Sequence, residues 1–117
     1  MFLSTLGVDG FDIQVLWEKS KSIFPPHHIN FLSGNGFRKV CHRAGLSGVD
    51  ISTPGKLDVD IVRNAVKYAP EVLSEKRFLK KLLENPAKAE AFQTYLAANC
   101  LSSHTWVIAK KECACDA

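Results

Sequence analysis

No long apolar run, no block of like charge, no internal repeat and no low-complexity stretch interrupts these 117 residues. Without a segment of about 18 consecutive apolar residues, a membrane-spanning helix is not expected. Fifteen Lys and Arg are interleaved with twelve Asp and Glu, so the formal charge of +3 is not gathered into an acidic or basic tail. No basic leader precedes the short apolar start at Met1, Phe2 and Leu3, which argues against a secretory signal and makes the cytoplasm the expected location.

Metal-site spacing is missing as well. Cys41 and Cys100 stand apart, and Cys113-Ala114-Cys115 has a single intervening residue where structural zinc sites usually have two to four. His27 and His28 are adjacent in a proline loop, a poor arrangement for two ligands of one ion, and His42 and His104 are isolated. No metal is expected, and the thiols read as buried or incidental, in keeping with a reducing compartment. The densest basic group, Lys76, Arg77, Lys80, Lys81 and Lys88, lies opposite an apolar stripe on a predicted helix. That is the pattern of a solvated face, so no nucleic-acid partner is expected. A nucleotide loop is absent too. After Gly34-Asn35-Gly36 the dinucleotide fingerprint would need glycine where Lys39 stands, and a cofactor loop of methyltransferase type would prefer it where Arg38 stands. A helix N-terminus with permissive glycines is the simpler reading.

What is present is ordinary globular material, 46% hydrophobic and 23% charged, long enough to form one domain over residues 1–117. Residues 2–8 are apolar and β-prone and end at glycine, which predicts a strand. Residues 11–20 predict a short helix with Phe11, Val15 and Leu16 on one face. Ser33 is a good N-cap for a helix to Ala44, with Phe37, Val40, Cys41 and Ala44 inward and Gly45 as its stop. A second strand follows over residues 46–53.

Residues 52–64 are the most distinctive stretch. Pro54 biases Thr53 toward extended geometry, Gly55 is expected to take the positive φ of a type II turn, and Asp58 and Asp60 fall in a helix first turn that favours negative charge. In that helix Leu57, Ile61, Ala65 and Tyr68 are expected on the buried face, with Pro70 ending it. Ser74 is expected to start another helix with Phe78, Leu79, Leu82 and Leu83 inward. Asn85-Pro86 then caps a third, running through Ala87, Ala91, Tyr95 and Leu96. Residues 103–110 alternate as a last strand, with His104, Trp106 and Ile108 opposed to Thr105, Val107 and Ala109.

Four segments in this order carry a resemblance: Gly10-Phe11-Asp12-Ile13-Gln14-Val15-Leu16-Trp17, Pro25-Pro26-His27-His28-Ile29-Asn30-Phe31-Leu32-Ser33, the corner from Thr53 to Val62, and Ser103-His104-Thr105-Trp106-Val107-Ile108-Ala109-Lys110. Together they resemble the C-terminal part of bacterial class I S-adenosylmethionine-dependent methyltransferases. The resemblance spans nearly the whole chain and is cumulative, since no single segment is a catalytic signature. It implies an α+β fold holding part of a Rossmann-like sheet: about three strands, the last antiparallel between the other two, with four to five helices. Residues 56–101 would be a helical elaboration between the last two strands.

The family's cofactor site, a glycine loop after the first strand and an acid after the second, has no counterpart here. The resemblance therefore implies S-adenosylmethionine for a full-length enzyme and none for this chain alone. It makes Asp12, Trp17, His28 and Asn30 the candidate substrate contacts, with His28 as candidate general base for an acceptor hydroxyl. The implied partners are an upstream methyltransferase half, or a second copy through the N-terminal strand edge, and a small-molecule or saccharide acceptor. A non-catalytic α+β interaction module is the alternative.

Overall fold

A computed structural model of the chain describes residues 1–23 and 30–111. Strands β1 (Phe2–Leu6), β2 (Leu46–Ser52) and β3 (His104–Lys111) form one sheet in the order β1-β3-β2. β3 is antiparallel to both neighbours, so β1 and β2 run parallel to each other with β3 between them. Five helices accompany the sheet among the described residues: α1 (Phe11–Leu16), α2 (Gly34–Arg43), α3 (Asp58–Tyr68), α4 (Arg77–Glu84) and α5 (Pro86–Ala98). Two 3-10 turns, Trp17–Lys19 and Pro70–Leu73, follow α1 and α3. The α+β class and the place of the last strand are as expected.

α2 begins where Ser33 accepts a hydrogen bond from the Gly36 N–H at 3.1 Å, and it ends at Gly45. Phe37 and Cys41, four residues apart and so on one helix face, bury against Val107 and Ala109 of β3. Val40, expected inward, stands on the flank of that stripe and is half exposed. β2 needs a bulge to present its apolar residues to α2. Leu46 and Val49 are three apart, which strict alternation would send to opposite faces. Opposite β3 the register slips by one residue between Ser47 and Asp50, and Gly48 sits there at φ 59°. The extra residue returns Leu46, Val49 and Ile51 to the α2 face, and only glycine takes that φ without strain.

Among the described residues no helix covers the other sheet face. Phe2 is 60% exposed, Ile108 46% and Trp106 39%. Phe2 and His104 each meet Trp106 edge-on, with centroids 5.7 and 6.2 Å apart. The result is a thin body of 59 × 30 × 18 Å, whose radius of gyration of 16.7 Å exceeds the value of about 13 Å for a compact domain of this length.

The helices after β2 form their own core. Leu16 of α1 joins Val59, Val62, Leu73, Leu83, Ala89 and Leu96, with Phe11 and Phe92 edge-on at 5.0 Å beside them. The predicted faces of α3, α4 and α5 are met only in part. α3 buries Asp58, Val59 and Val62, leaving Leu57 and Tyr68 exposed, because Asp58 is drawn inward by the loop before β3. The expected face of α1 is met, with Leu16 buried and Phe11 and Val15 packed against the same core, and Asp12 and Ile13 are buried as well. In α4, Leu83 is inward and Phe78 is exposed, and the helix starts at Arg77 because the Ser74 hydroxyl donates to Glu71 O and closes the preceding turn. α5 is capped as expected by Asn85, which accepts from the Lys88 N–H at 3.1 Å, but Ala89 and Leu96 are its buried residues and Tyr95 is exposed. No helix of the described residues is long and apolar enough to cross a membrane.

Candidate functional site

The loop Ser102–Ser103, just before β3, is where the sheet and the helical layer meet. It is clasped between two glycines. A Cβ on Gly10 would lie 2.2 Å from Ser103 Cα, and one on Gly55 would lie 1.9 Å from Ser102 Oγ. Gly55 is therefore required by close approach. Positive φ among the glycines belongs to Gly45 and Gly48, so the expected type II geometry at the Pro54-Gly55 corner is not found. The corner is tied to α5 by Gln93, which donates to Gly55 O at 3.0 Å and accepts from the Val59 N–H at 2.8 Å. That amide caps the α3 N-terminus, where Leu57 offers no side-chain cap.

Asp58 is the acceptor at the centre of the clasp. Ser102 Oγ donates to its two oxygens at 2.9 and 2.6 Å, the Ser103 N–H donates at 2.9 Å, and Ser103 Oγ donates at 3.2 Å. These bonds span more than 40 residues of sequence and hold the start of α3 to the start of β3. Asp58 stands in the first turn of α3 as expected, and it is 2% exposed. Asp12 of α1 lies on the same loop and is 0% exposed, yet neither of its carboxyl oxygens has a hydrogen-bond partner. Burial pushes its carboxyl above the usual carboxylate range. The Asp58 charge adds to that, while the nearby Ser103 hydroxyl and the Ile13 and Asp12 N–H groups pull the other way without completing a bond.

A polar cavity of about 370 Å³ opens beyond this loop, at the carboxyl ends of β1 and β2. The first turn of α2 forms one wall, with Ser33, Gly34 and Asn35, and Asp9 accepts from the Gly34 N–H at 3.2 Å. Thr53, Cys100, Ser102 and Arg38 also line it, beside the apolar Phe37 and Ile51. Parallel strands place ligand crevices at their carboxyl ends, so the position is the one an α/β sheet offers. Its hydroxyls, one guanidinium and one carboxylate suit a polar, hydroxyl-bearing molecule.

Cys100 reaches that wall through backbone strain. It occupies the left-handed position after α5 at φ 58°, where glycine is usual, and Leu101 N–H closes the helix end onto Leu96 O at 2.9 Å. Cys41 is buried as expected, whereas Cys100 is exposed. A second cavity of about 440 Å³ brings Asp58, Ser103 and His104 together. They do not form a nucleophile relay. Ser103 bonds the carboxylate directly, while His104 Nε2 faces Trp106 Nε1 at 2.9 Å on the open sheet face.

The predicted site residues are dispersed. Asp12 is sealed beneath the clasp, Trp17 is 56% exposed on the far end of α1 at φ 46°, and Asn30 is exposed three residues before Ser33. His28 and His27 lie outside the described residues, as do Cys113 and Cys115. Among the described residues no three His, Cys, Asp or Glu side chains cluster as metal ligands. The Ser102–Ser103 clasp was not foreseen, although the two adjacent serines before an alternating strand were a visible signal. Compared with protein-family models, curated proteins and solved structures, the chain matches none.

Proposed function

We propose that residues 1–117 are the substrate-facing, sheet-completing C-terminal portion of a class I S-adenosylmethionine-dependent methyltransferase acting in the cytoplasm, not competent in catalysis alone. The observation that carries this reading is the strand order β1-β3-β2, with an antiparallel last strand set between two mutually parallel ones. This is the arrangement of the fifth, seventh and sixth strands in that family. The helices between Asp58 and Ala98 are then the elaboration between its last two strands. The cavity at the ends of β1 and β2 would face the methyl acceptor, a small hydroxylated molecule such as a saccharide, and His28 is the candidate base that the family resemblance implies. Methyl transfer from a sulfonium is an in-line displacement that depends on positioning and exclusion of water, and both require the cofactor half of the sheet. Among the described residues no strand pairs with the edge of β1 away from β3, apart from the isolated Gly7–Leu32 bridge just beyond it, and that is the side on which the cofactor half would pair.

The test is calorimetry with S-adenosylmethionine on residues 1–117 and on the longest open reading frame that contains them. Binding by the longer chain, together with an upstream acid and glycine loop and no binding by 1–117, is expected. Micromolar binding by 1–117 alone, or a longer chain without a cofactor loop, overturns the reading. The alternative, a non-catalytic interaction module, draws on the exposed Phe2, Trp106 and Ile108 face and is favoured if an in-frame stop directly precedes Met1.

A further inference from the structure

Asp12 and Asp58 differ in one respect that bears on protons. Asp58 receives every donor the clasp offers, while both oxygens of the fully buried Asp12 are left without any. The Ser103 hydroxyl stands between them with a single proton, which it gives to Asp58 Oδ1 at 3.2 Å. It retains lone pairs that can accept. An ionised Asp12 would be a buried, unpaired charge beside a second carboxylate, which burial and like-charge repulsion both disfavour. A neutral Asp12 can donate to Ser103 Oγ and complete the chain.

We propose that Asp12 is a protonated acid in the folded chain, donating through Ser103 to Asp58, and that this one proton locks α1 to α3 and to the start of β3. No cation competes for the role among the described residues. α1 contains no other titratable side chain, the 3-10 turn after it carries only the exposed Glu18 and Lys19, and on α3 the charge acting on Asp12 is Asp58. Lys56 and His104, which share the second cavity with Asp58, are exposed and do not act on Asp12.

The pH dependence follows in sign. The unfolded chain releases this proton near 3.8, and the folded chain holds it to higher pH. The lock is therefore fully present below 3.8 and is lost as pH rises to the folded value, by about a factor of ten in the folding constant per unit crossed.

Carboxyl-carbon NMR of residues 1–117 tests this directly. The Asp12 resonance should titrate above 3.8, and Asp58→Asn, by removing the neighbouring charge, should lower its midpoint. Asp12→Asn, which keeps a donor and stays neutral, should fold and should lose the decline of unfolding free energy with pH seen in the parent. An Asp12 midpoint at or below 3.8, no response to Asp58→Asn, or an unchanged pH profile in Asp12→Asn overturns the proposal.

Discussion

The helical layer and the sheet solve the same problem to different degrees. Leu16, Val59, Val62, Leu73, Leu83, Ala89 and Leu96 close around one another, drawing on α1, α3, α4, α5 and a 3-10 turn. Among the described residues the sheet core of Phe37, Cys41, Val107 and Ala109 is roofed on one face, and across the strands Phe2, Trp106 and Ile108 are exposed. The lesson is that apolar area alone does not define a core. The inserted helices complete themselves, whereas the sheet has the form of an element to be completed by something further.

The sharpest attempt to break this contrast is Phe37→Ala, which removes the main roof contact and should cost about 3–5 kcal/mol in denaturant unfolding. If the two regions are separable, amides of β1 and β3 lose exchange protection while those of α3 and α5 keep theirs. Simultaneous loss would show a single cooperative unit. Leu96→Ala, the converse, should cost about 2–5 kcal/mol and strip protection from α3 and α5. Cys100→Gly relieves the left-handed strain after α5 and should stabilise by about 0.5–1 kcal/mol, read as a higher denaturant midpoint. Phe2→Ser, on the open face, should move stability by no more than about 0.5 kcal/mol. Its visible effect should be weaker self-association in sedimentation; an unchanged association state would mean that the β1 edge and face are not used.

Much of the architecture was legible in the residues. Alternation in β3, the Ser33 and Asn85 caps, the Gly45 stop and the Pro70 break are local chemistry, and each acts where local reading places it. Which face of a helix turns inward was less legible. α3 carries two plausible rows, and the choice between them is made by Ser102 and Ser103, more than 40 residues away, pulling on Asp58. The β2 bulge at Gly48 was hidden for the same reason, since a one-residue slip is defined only against β3. For the candidate site, the carboxyl end of the strands was inferable from their order. The buried Asp12 was not, because a first-turn aspartate ordinarily faces water.

The central strand is also the last one synthesised. β1 pairs with β3 across about a hundred residues, Phe2 with Ile108, and β1 and β2 have no pairing with each other. Until residues 104–111 emerge, these three strands cannot join, and the uncharged strand Phe2–Leu6 lacks its β3 neighbour. At about 5–20 residues per second of synthesis that interval lasts several seconds. The helical layer can assemble from local contacts in this time, while sheet formation waits for long-range closure. A truncation upstream of His104 would therefore leave β1 and β2 without the strand that joins them, and an apolar segment open to pairing with other chains.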